Sequence, residues 1–345
     1  MTTPAMLAGY FTVPLFGAML CAGPAVTRPA VPFGVRAPAD RAAASVIRRE
    51  RDTYMRYTAA VTACATAAVF LSWGHGSWWL GRIILLLELA AELACYWRAH
   101  RRIAEAKRAG RWFAGQRTAV VADTRWRTEP ERLPVRWLVP ALAVIAATVS
   151  LRVAYGPPAA RGPAGGLAVV IGQAYVTMLW TQLMLLFHRS RPDLDPADPV
   201  SSGQRYRRLL RAYTRALLVM VALVDLTLLL DGCRVWLVAR VPPPLVLLPS
   251  MAGLLTMIGT ALWAGRDGTE AETARLGRAR AAGVTAPDDD RWWKGGLIYV
   301  HHDDPAIMVP ARFGVGWTFN LGNPSAWLAV AGIVAAPIGL ALLLR

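Results

Sequence analysis

Cysteine and lysine are both scarce in this chain of 345 residues. The four cysteines, Cys21, Cys64, Cys95 and Cys233, lack CxxC spacing, which excludes a paired-thiol redox or zinc motif. They lie in or beside apolar stretches and read as small packing residues. Lys107 and Lys294 are the only lysines among 38 basic residues, a mark of coding bias more than of chemistry. No GxxxxGK[ST] loop, GxSxG elbow or HExxH helix occurs in a suitable context. The sequence therefore nominates no catalytic residue, metal site or cofactor, and the expectation is a protein that is not an enzyme.

Hydrophobic residues are abundant instead. They make up 55% of the chain, with 14 Trp and a mean hydropathy of +0.36. A helix crosses a bilayer with about 20 apolar residues, and eight stretches qualify, near 5–26, 57–74, 77–97, 135–153, 165–187, 214–232, 244–264 and 325–344. The second is the shortest and most polar, through Thr58, Thr62, Thr66 and Ser72. It either crosses fully or forms a re-entrant element with the third.

The net charge of +16 suggests a nucleic-acid partner until its distribution is mapped. Thirty-two of the 38 basic residues fall in 27–56, 98–136, 188–215 and 265–324. The other six are Arg82, Arg152, Arg161, Arg234, Arg240 and Arg345. With eight spans, the four rich segments share one side, which the positive-inside rule makes cytoplasmic. A multi-pass plasma-membrane protein with long cytoplasmic loops and both termini outside is the expectation. Its partners are the lipid bilayer and anionic headgroups, with no nucleic acid. The first span has no basic residue before it and is followed by Arg28 and Arg36, the reverse of a secretory signal, so it reads as an uncleaved helix.

An internal repeat organises these spans. Residues 111–137 and 291–317 align without gaps at nine of 27 positions, including Trp112 with Trp292, Asp123 with Asp303 and Trp137 with Trp317. Chance would give roughly two matches. Arg48-Arg49-x4-Tyr54-x-Arg56 is echoed by Arg207-Arg208-x4-Tyr213-x-Arg215. The predicted architecture is an all-α integral membrane protein of about eight transmembrane helices. It comprises two four-helix repeats, 1–156 and 157–345, with small cytoplasmic β-hairpin-like motifs at 111–137 and 291–323. Residues 40–56 and 203–215 read as basic interfacial helices, with Val46, Ile47, Tyr54 and Tyr57 toward lipid. Residues 265–290 read as a solvated, partly helical linker.

The second motif copy is the richer. Leu297–His301 and Ile307–Val309 are short, β-prone runs separated by Asp-Asp-Pro turn chemistry. Trp292, Trp293 and Trp317 suit the membrane interface. His301 and His302 are adjacent on a strand and point to opposite faces, which disfavours a shared metal ion. Asp303 reads as a turn residue capping backbone amides.

From Trp293 to Asn320 the chain resembles a C-terminal domain of unknown function in bacterial multispanning membrane proteins. The shared pattern is Trp-x-Gly-Gly-x-x-Tyr, an Asp-Pro, then Val-Pro-x-Arg-x-Gly-x-Gly-Trp-Thr-x-Asn. Pro32-Phe33-Gly34-Val35-Arg36-x-Pro38 is similar to the segment after the first helix in those proteins. Some relatives share a domain with SdpI-like membrane proteins, which act in toxin immunity and signalling. The Pro- and His-containing motif of that domain is absent from 152–164. The resemblance implies a fold and no established activity.

Two candidate sites follow. Glu88 and Glu92 share a helix face in the third span, and Asp225 lies midway along the sixth. Intramembrane carboxylates are costly and face the bundle interior. They read either as a proton- or cation-coupling site or as hydrogen-bond partners of Gln173, Thr177, Thr181 and Gln182. The second candidate is a cytoplasmic docking motif, Trp292, Trp293, Gly295, Asp303, Arg312, Trp317 and Asn320, for a possible protein partner. A signalling or immunity-type protein is favoured. The alternative is a secondary transporter using the carboxylates at the interface between repeats.

Overall fold

Long apolar runs satisfy their backbone groups as helices once water is excluded, and helices dominate this chain. A computed structural model describes residues 4–72, 78–118, 133–155, 163–192, 194–195, 198–236 and 240–343. The helices are α1 (Pro4–Val26), α2 (Ser45–Leu71), α3 (Trp78–Ala109), α4 (Val139–Tyr155), α5 (Pro163–His188), α6 (Pro199–Val235), α7 (Pro243–Ala282) and α8 (Pro324–Leu343). Each overlaps one of the eight apolar segments. Five begin at proline, whose missing N–H costs nothing in a first turn. The Asp198 side chain caps α6 by accepting from the Ser201 amide at 3.2 Å. Gly283 ends α7 in the left-handed region at φ 63°.

Among the described residues, four helices are long and apolar enough to cross a membrane, over Val135–Tyr155, Ala168–His188, Pro199–Arg234 and Pro244–Ala282. On that ground the chain is read as a membrane protein. α1, α2 and α3 pack against one another, and α6 packs against α4, α5 and α7. α1 also touches α7, joining the two groups.

Both basic segments are helical, as expected. Residues 45–56 and 203–215 are the first turns of α2 and α6 and continue straight into the apolar parts. Ile47 and Tyr54 are buried instead of facing lipid, because with Phe33 and Tyr96 they close a core over the 32–37 segment. Tyr57 is exposed, as expected. The 265–290 segment is partly helical, as expected: α7 runs to Ala282, where the capping glycine stops it.

The strands are short. β1 (Arg117–Thr118) runs parallel to β2 (Val284–Thr285), tying the first motif copy to the chain just before the second. β3 (Trp293–Lys294) pairs antiparallel with β4 (Ile298–Tyr299), and β5 (Met308–Pro310) with β6 (Trp317–Phe319). A bridge from Tyr299 to Asn320 joins the two hairpins. The expected hairpins are therefore present in the second copy. In the first copy, residues 119–132 lie outside the described residues, Asp123 among them.

Candidate functional site

The second motif copy forms a brace between the two helix groups. Arg312 stands just after β5 and is only 1% exposed. Its Nη1 donates to the Gly34 carbonyl at 2.7 Å and to Asp290 Oδ1 at 2.5 Å, and its Nη2 bonds Asp289. The guanidinium also stacks over the Trp293 ring, 4.7 Å from its centroid. Burial lowers the pKa of this guanidinium while Asp289 and Asp290 support its charge. Arginine still remains protonated, and its planar fork suits several acceptors at once.

Residues 288–290 are the hub of these bonds. Asp289 accepts from Arg36 Nε at 2.6 Å, and Asp290 Oδ1 accepts from the Arg36 amide at 3.0 Å. Lys107, near the end of α3, donates to Asp288 at 2.7 Å and Asp290 at 2.6 Å. Three carboxylates thus meet Arg36, Lys107 and Arg312, drawn from three distant parts of the chain. A partly buried charge cluster of this kind holds only while all members are paired.

Close backbone contact completes the joint. Gly34 and Gly296 face each other with φ of 77° and 71°, and a Cβ on Gly34 would stand 2.5 Å from Gly296 Cα. Phe33 also adopts a positive φ, 47°, which strains a side chain of that size. Tyr54, Tyr96 and Phe313 surround its ring at centroid distances of 5.1, 6.1 and 5.9 Å. The Tyr96 hydroxyl reaches the carbonyls of Phe33 at 3.0 Å and Gly295 at 3.1 Å.

On the other side the brace grips α5 and α6. Trp317 stacks on Phe187 at 4.9 Å, meets Tyr213 edge-on at 5.3 Å, and donates from Nε1 to the Tyr206 hydroxyl at 3.0 Å. Asn320, fully buried, accepts from the amides of His301 and Gly322, both at 3.0 Å, and donates to the His301 carbonyl at 2.9 Å. Tyr299 donates to Asp304 at 2.8 Å, and Arg191 pairs with the same oxygen at 2.8 Å.

A family model described as "Family of unknown function (DUF5808)" matches residues 302–327. The matched span holds Asp303, Arg312, Trp317 and Asn320 and begins after Trp292, Trp293 and Gly295. No curated protein and no solved structure matches the chain. The chain is thus similar to a family without an assigned activity over its second hairpin and the start of α8.

The expected motif residues are brought together, but most face inward. Trp293 is buried beneath Arg312, and the half-buried Trp317 packs against α5 and α6. Trp292 holds His301 at 3.8 Å between ring centroids. His302 Nδ1 lies 3.0 Å from the Gly322 carbonyl, so the two histidines serve different partners. The amide-capping role expected of Asp303 belongs to Asp304, whose Oδ1 accepts from the Ala306 amide at 3.0 Å. Asp303 itself is exposed, because the Pro305 turn directs its neighbour inward. Asp289, Asp290, Lys107 and Tyr96 were missed by sequence reasoning. A usable signal was present: three consecutive aspartates precede the aromatic motif in a chain with few acids.

The carboxylates of the helix groups separate into two sites. Glu88 and Glu92 on α3 are 2% and 1% exposed and face Thr62 of α2 and Gly17 of α1. Thr62 donates to Glu92 Oε1 at 3.3 Å. Both oxygens of Glu88 and the second oxygen of Glu92 have no hydrogen-bond partner among the described residues. A Cβ at Gly17 would stand 2.2 Å from Thr62 Oγ1 and 2.6 Å from Glu88 Oε1, so only glycine fits there. Asp225 lies elsewhere, on α6, where Thr177 of α5 donates to its Oδ2 at 2.7 Å. Gln173 Nε2 bridges the Asp225 carbonyl at 2.9 Å and Thr148 of α4 at 2.8 Å. Gln173 and Thr177 are therefore true partners of Asp225, whereas Thr181 bonds the carbonyl of Thr177 on its own helix.

Proposed function

We propose that this chain is an eight-span plasma-membrane protein of the signalling type. In this reading, the state of an intramembrane carboxylate pair reaches a cytoplasmic brace that docks a protein partner. The observation that carries the reading is the continuity of α3. One helix holds Glu88 and Glu92 in the first helix group, then Tyr96 and Lys107 in the brace. Glu92 and Tyr96 are one turn apart, about 6 Å along the axis. A proton or cation taken up by the pair therefore acts on the same rigid rod that anchors the brace.

Polarity supports eight spans over four. α3 buries Glu88 and Glu92 while exposing Leu86 and Leu87 at 63% and 65%. That arrangement is inverted relative to a water-facing helix and suits lipid. The repeat is supported by Tyr54 and Tyr213, its matched residues. Tyr54 meets Phe313 at 6.2 Å and Tyr213 meets Trp317 at 5.3 Å, so one short segment is held between equivalent rings of the two halves. Gly115 and Gly295, also matched, both have positive φ. The basic segments 27–56, 98–136, 188–215 and 265–324 support a cytoplasmic location for the brace.

The test is hydrogen exchange across 288–323 in proteoliposomes, with Glu88→Gln/Glu92→Gln beside the wild type, over a series of pH and sodium concentrations. Protection that responds to either variable in the wild type and not in the variant supports coupling. Identical, condition-independent protection in both overturns it. Cysteine labels at positions 120 and 300 of a Cys-free variant, shielded from impermeant reagents in intact cells, support the orientation.

A secondary transporter is the second reading, favoured by three carboxylate oxygens of Glu88 and Glu92 that have no partner among the described residues. Its coupling site would be that pair alone, since Asp225 bonds within α4, α5 and α6 instead. Ion-driven solute uptake lost in Glu92→Gln would favour it.

A further inference from the structure

Exposed apolar residues on α3 include one line, Trp79, Ile83, Leu86, Leu89, Leu93 and Trp97, with exposed Arg82 beside its Trp79 end. Their spacing of three or four residues places them on a single face. Trp79 and Trp97 end the line, separated by about 27 Å of helix, close to the roughly 30 Å of a hydrocarbon core. One turn beyond Trp97, the same face presents Arg101, which is exposed. Apolar, then aromatic, then basic is the order in which side chains meet the tail, interface and headgroup layers.

The β3–β4 turn rests on this line at its cytoplasmic end. Gly295, with φ 60°, lies so near Trp97 that a Cβ there would stand 2.5 Å from the indole. The Tyr96 hydroxyl holds the Gly295 carbonyl on the adjoining face at 3.1 Å. Leu297 and Ile298 follow, both exposed, with exposed Lys294 before them. The inward residues of the same hairpin, Trp293 and Tyr299, are buried in the brace. The hairpin therefore has a committed inner face and an outer apolar tip continuous with the Trp97 end of α3.

We propose that this tip is a membrane-insertion element. Leu297 and Ile298 enter the interfacial layer of the inner leaflet beside Trp97, and Lys294 meets anionic headgroups. The inference rests on the reading of α3 as a lipid-facing span. It assigns the lipid contact of the motif to residues other than its tryptophans. An apolar turn at the depth of a lipid-facing indole gains by burial where its lysine stays wet.

The experiment uses the full chain without native cysteines, in vesicles of phosphatidylcholine and phosphatidylglycerol. Leu297→Cys and Leu89→Cys each carry an environment-sensitive fluorophore, read against headgroup-level and tail-level spin-labelled lipids and aqueous iodide. The expected result is strongest quenching of Leu297 by the headgroup-level label and of Leu89 by the tail-level label. Omitting phosphatidylglycerol should weaken the quenching at Leu297 only. Quenching of Leu297 mainly by iodide, with Leu89 still in the tails, overturns the insertion element and leaves the span intact. Shielding of Leu297 from every quencher overturns it in favour of a protein contact. Iodide quenching at both positions overturns the span reading itself.

Discussion

Asp225 and the Glu88–Glu92 pair meet the same problem, a carboxylate held between apolar helices, in different surroundings. Asp225 belongs to a chain of hydrogen bonds from Thr148 through Gln173 to Thr177 that ties three helices together. Polar groups that link helices in this way add to bundle stability. The glutamates have two carboxylates, one weak donor in Thr62, and a glycine where any side chain would collide with Thr62 and Glu88. The first arrangement bonds one carboxylate oxygen to Thr177 and leaves Asp225 Oδ1 without a partner among the described residues. The second leaves three of its four carboxylate oxygens without a partner among the described residues, which is why the functional reading rests on the pair.

The largest expected effect comes from cutting the brace that both groups share. Arg312→Ala removes the buried guanidinium shared by Asp289, Asp290 and the Gly34 carbonyl, leaving the aspartates to Arg36 and Lys107, and should cost about 3–5 kcal/mol, as breaking a buried ion pair does. Thermal unfolding in detergent checks it. An unchanged midpoint would mean that the two groups are held together without the brace.

Next in size is Thr177→Val, which leaves Asp225 without its donor and should cost about 1–3 kcal/mol. Gly17→Ala should cost a similar amount by overpacking against Thr62 and Glu88. If both prove neutral in the same unfolding assay, the contrast between a knitted site and a tight, open one dissolves.

Tyr299→Phe should cost about 1 kcal/mol at neutral pH through the lost bond to Asp304. Burial first, then the bond and the charge of Asp304, push the Tyr299 phenol up to about 12 from its usual 10. Because the folded value is the higher one, the associated stability is present below about pH 10 and is lost as pH rises through 12. The variant should flatten the wild-type decline in that alkaline window, read by unfolding midpoints in buffers spanning it.

The smallest effect on stability is expected for Glu92→Gln, within about 0.5 kcal/mol, since little is bonded there to lose. A loss as large as that of Thr177→Val would make the glutamates a structural joint like Asp225.

The helices were legible because apolar length is a local property, and each of the eight segments overlaps a helix. The second hairpin region was legible from its Asp-Asp-Pro and glycine turn chemistry. The brace was not. Arg36 meets Asp289 across 253 residues and Lys107 meets Asp290 across 183, and no periodicity reports such pairings. The same gap explains Tyr54, which read as lipid-facing from its helix alone and is buried by a loop and a hairpin distant in sequence. Glu88 and Glu92 were legible as a shared face, whereas their separation from Asp225 depends on which helices pack together.

The bond from Arg312 to the carbonyl of Gly34 joins positions 278 residues apart. A ribosome needs on the order of ten seconds to a minute to make that length. Throughout this interval Arg36 and Lys107 lack their acidic partners, and the backbone of Gly34 has nothing to rest on. The first three helices must therefore persist as an open intermediate, closed only when the last hairpin arrives.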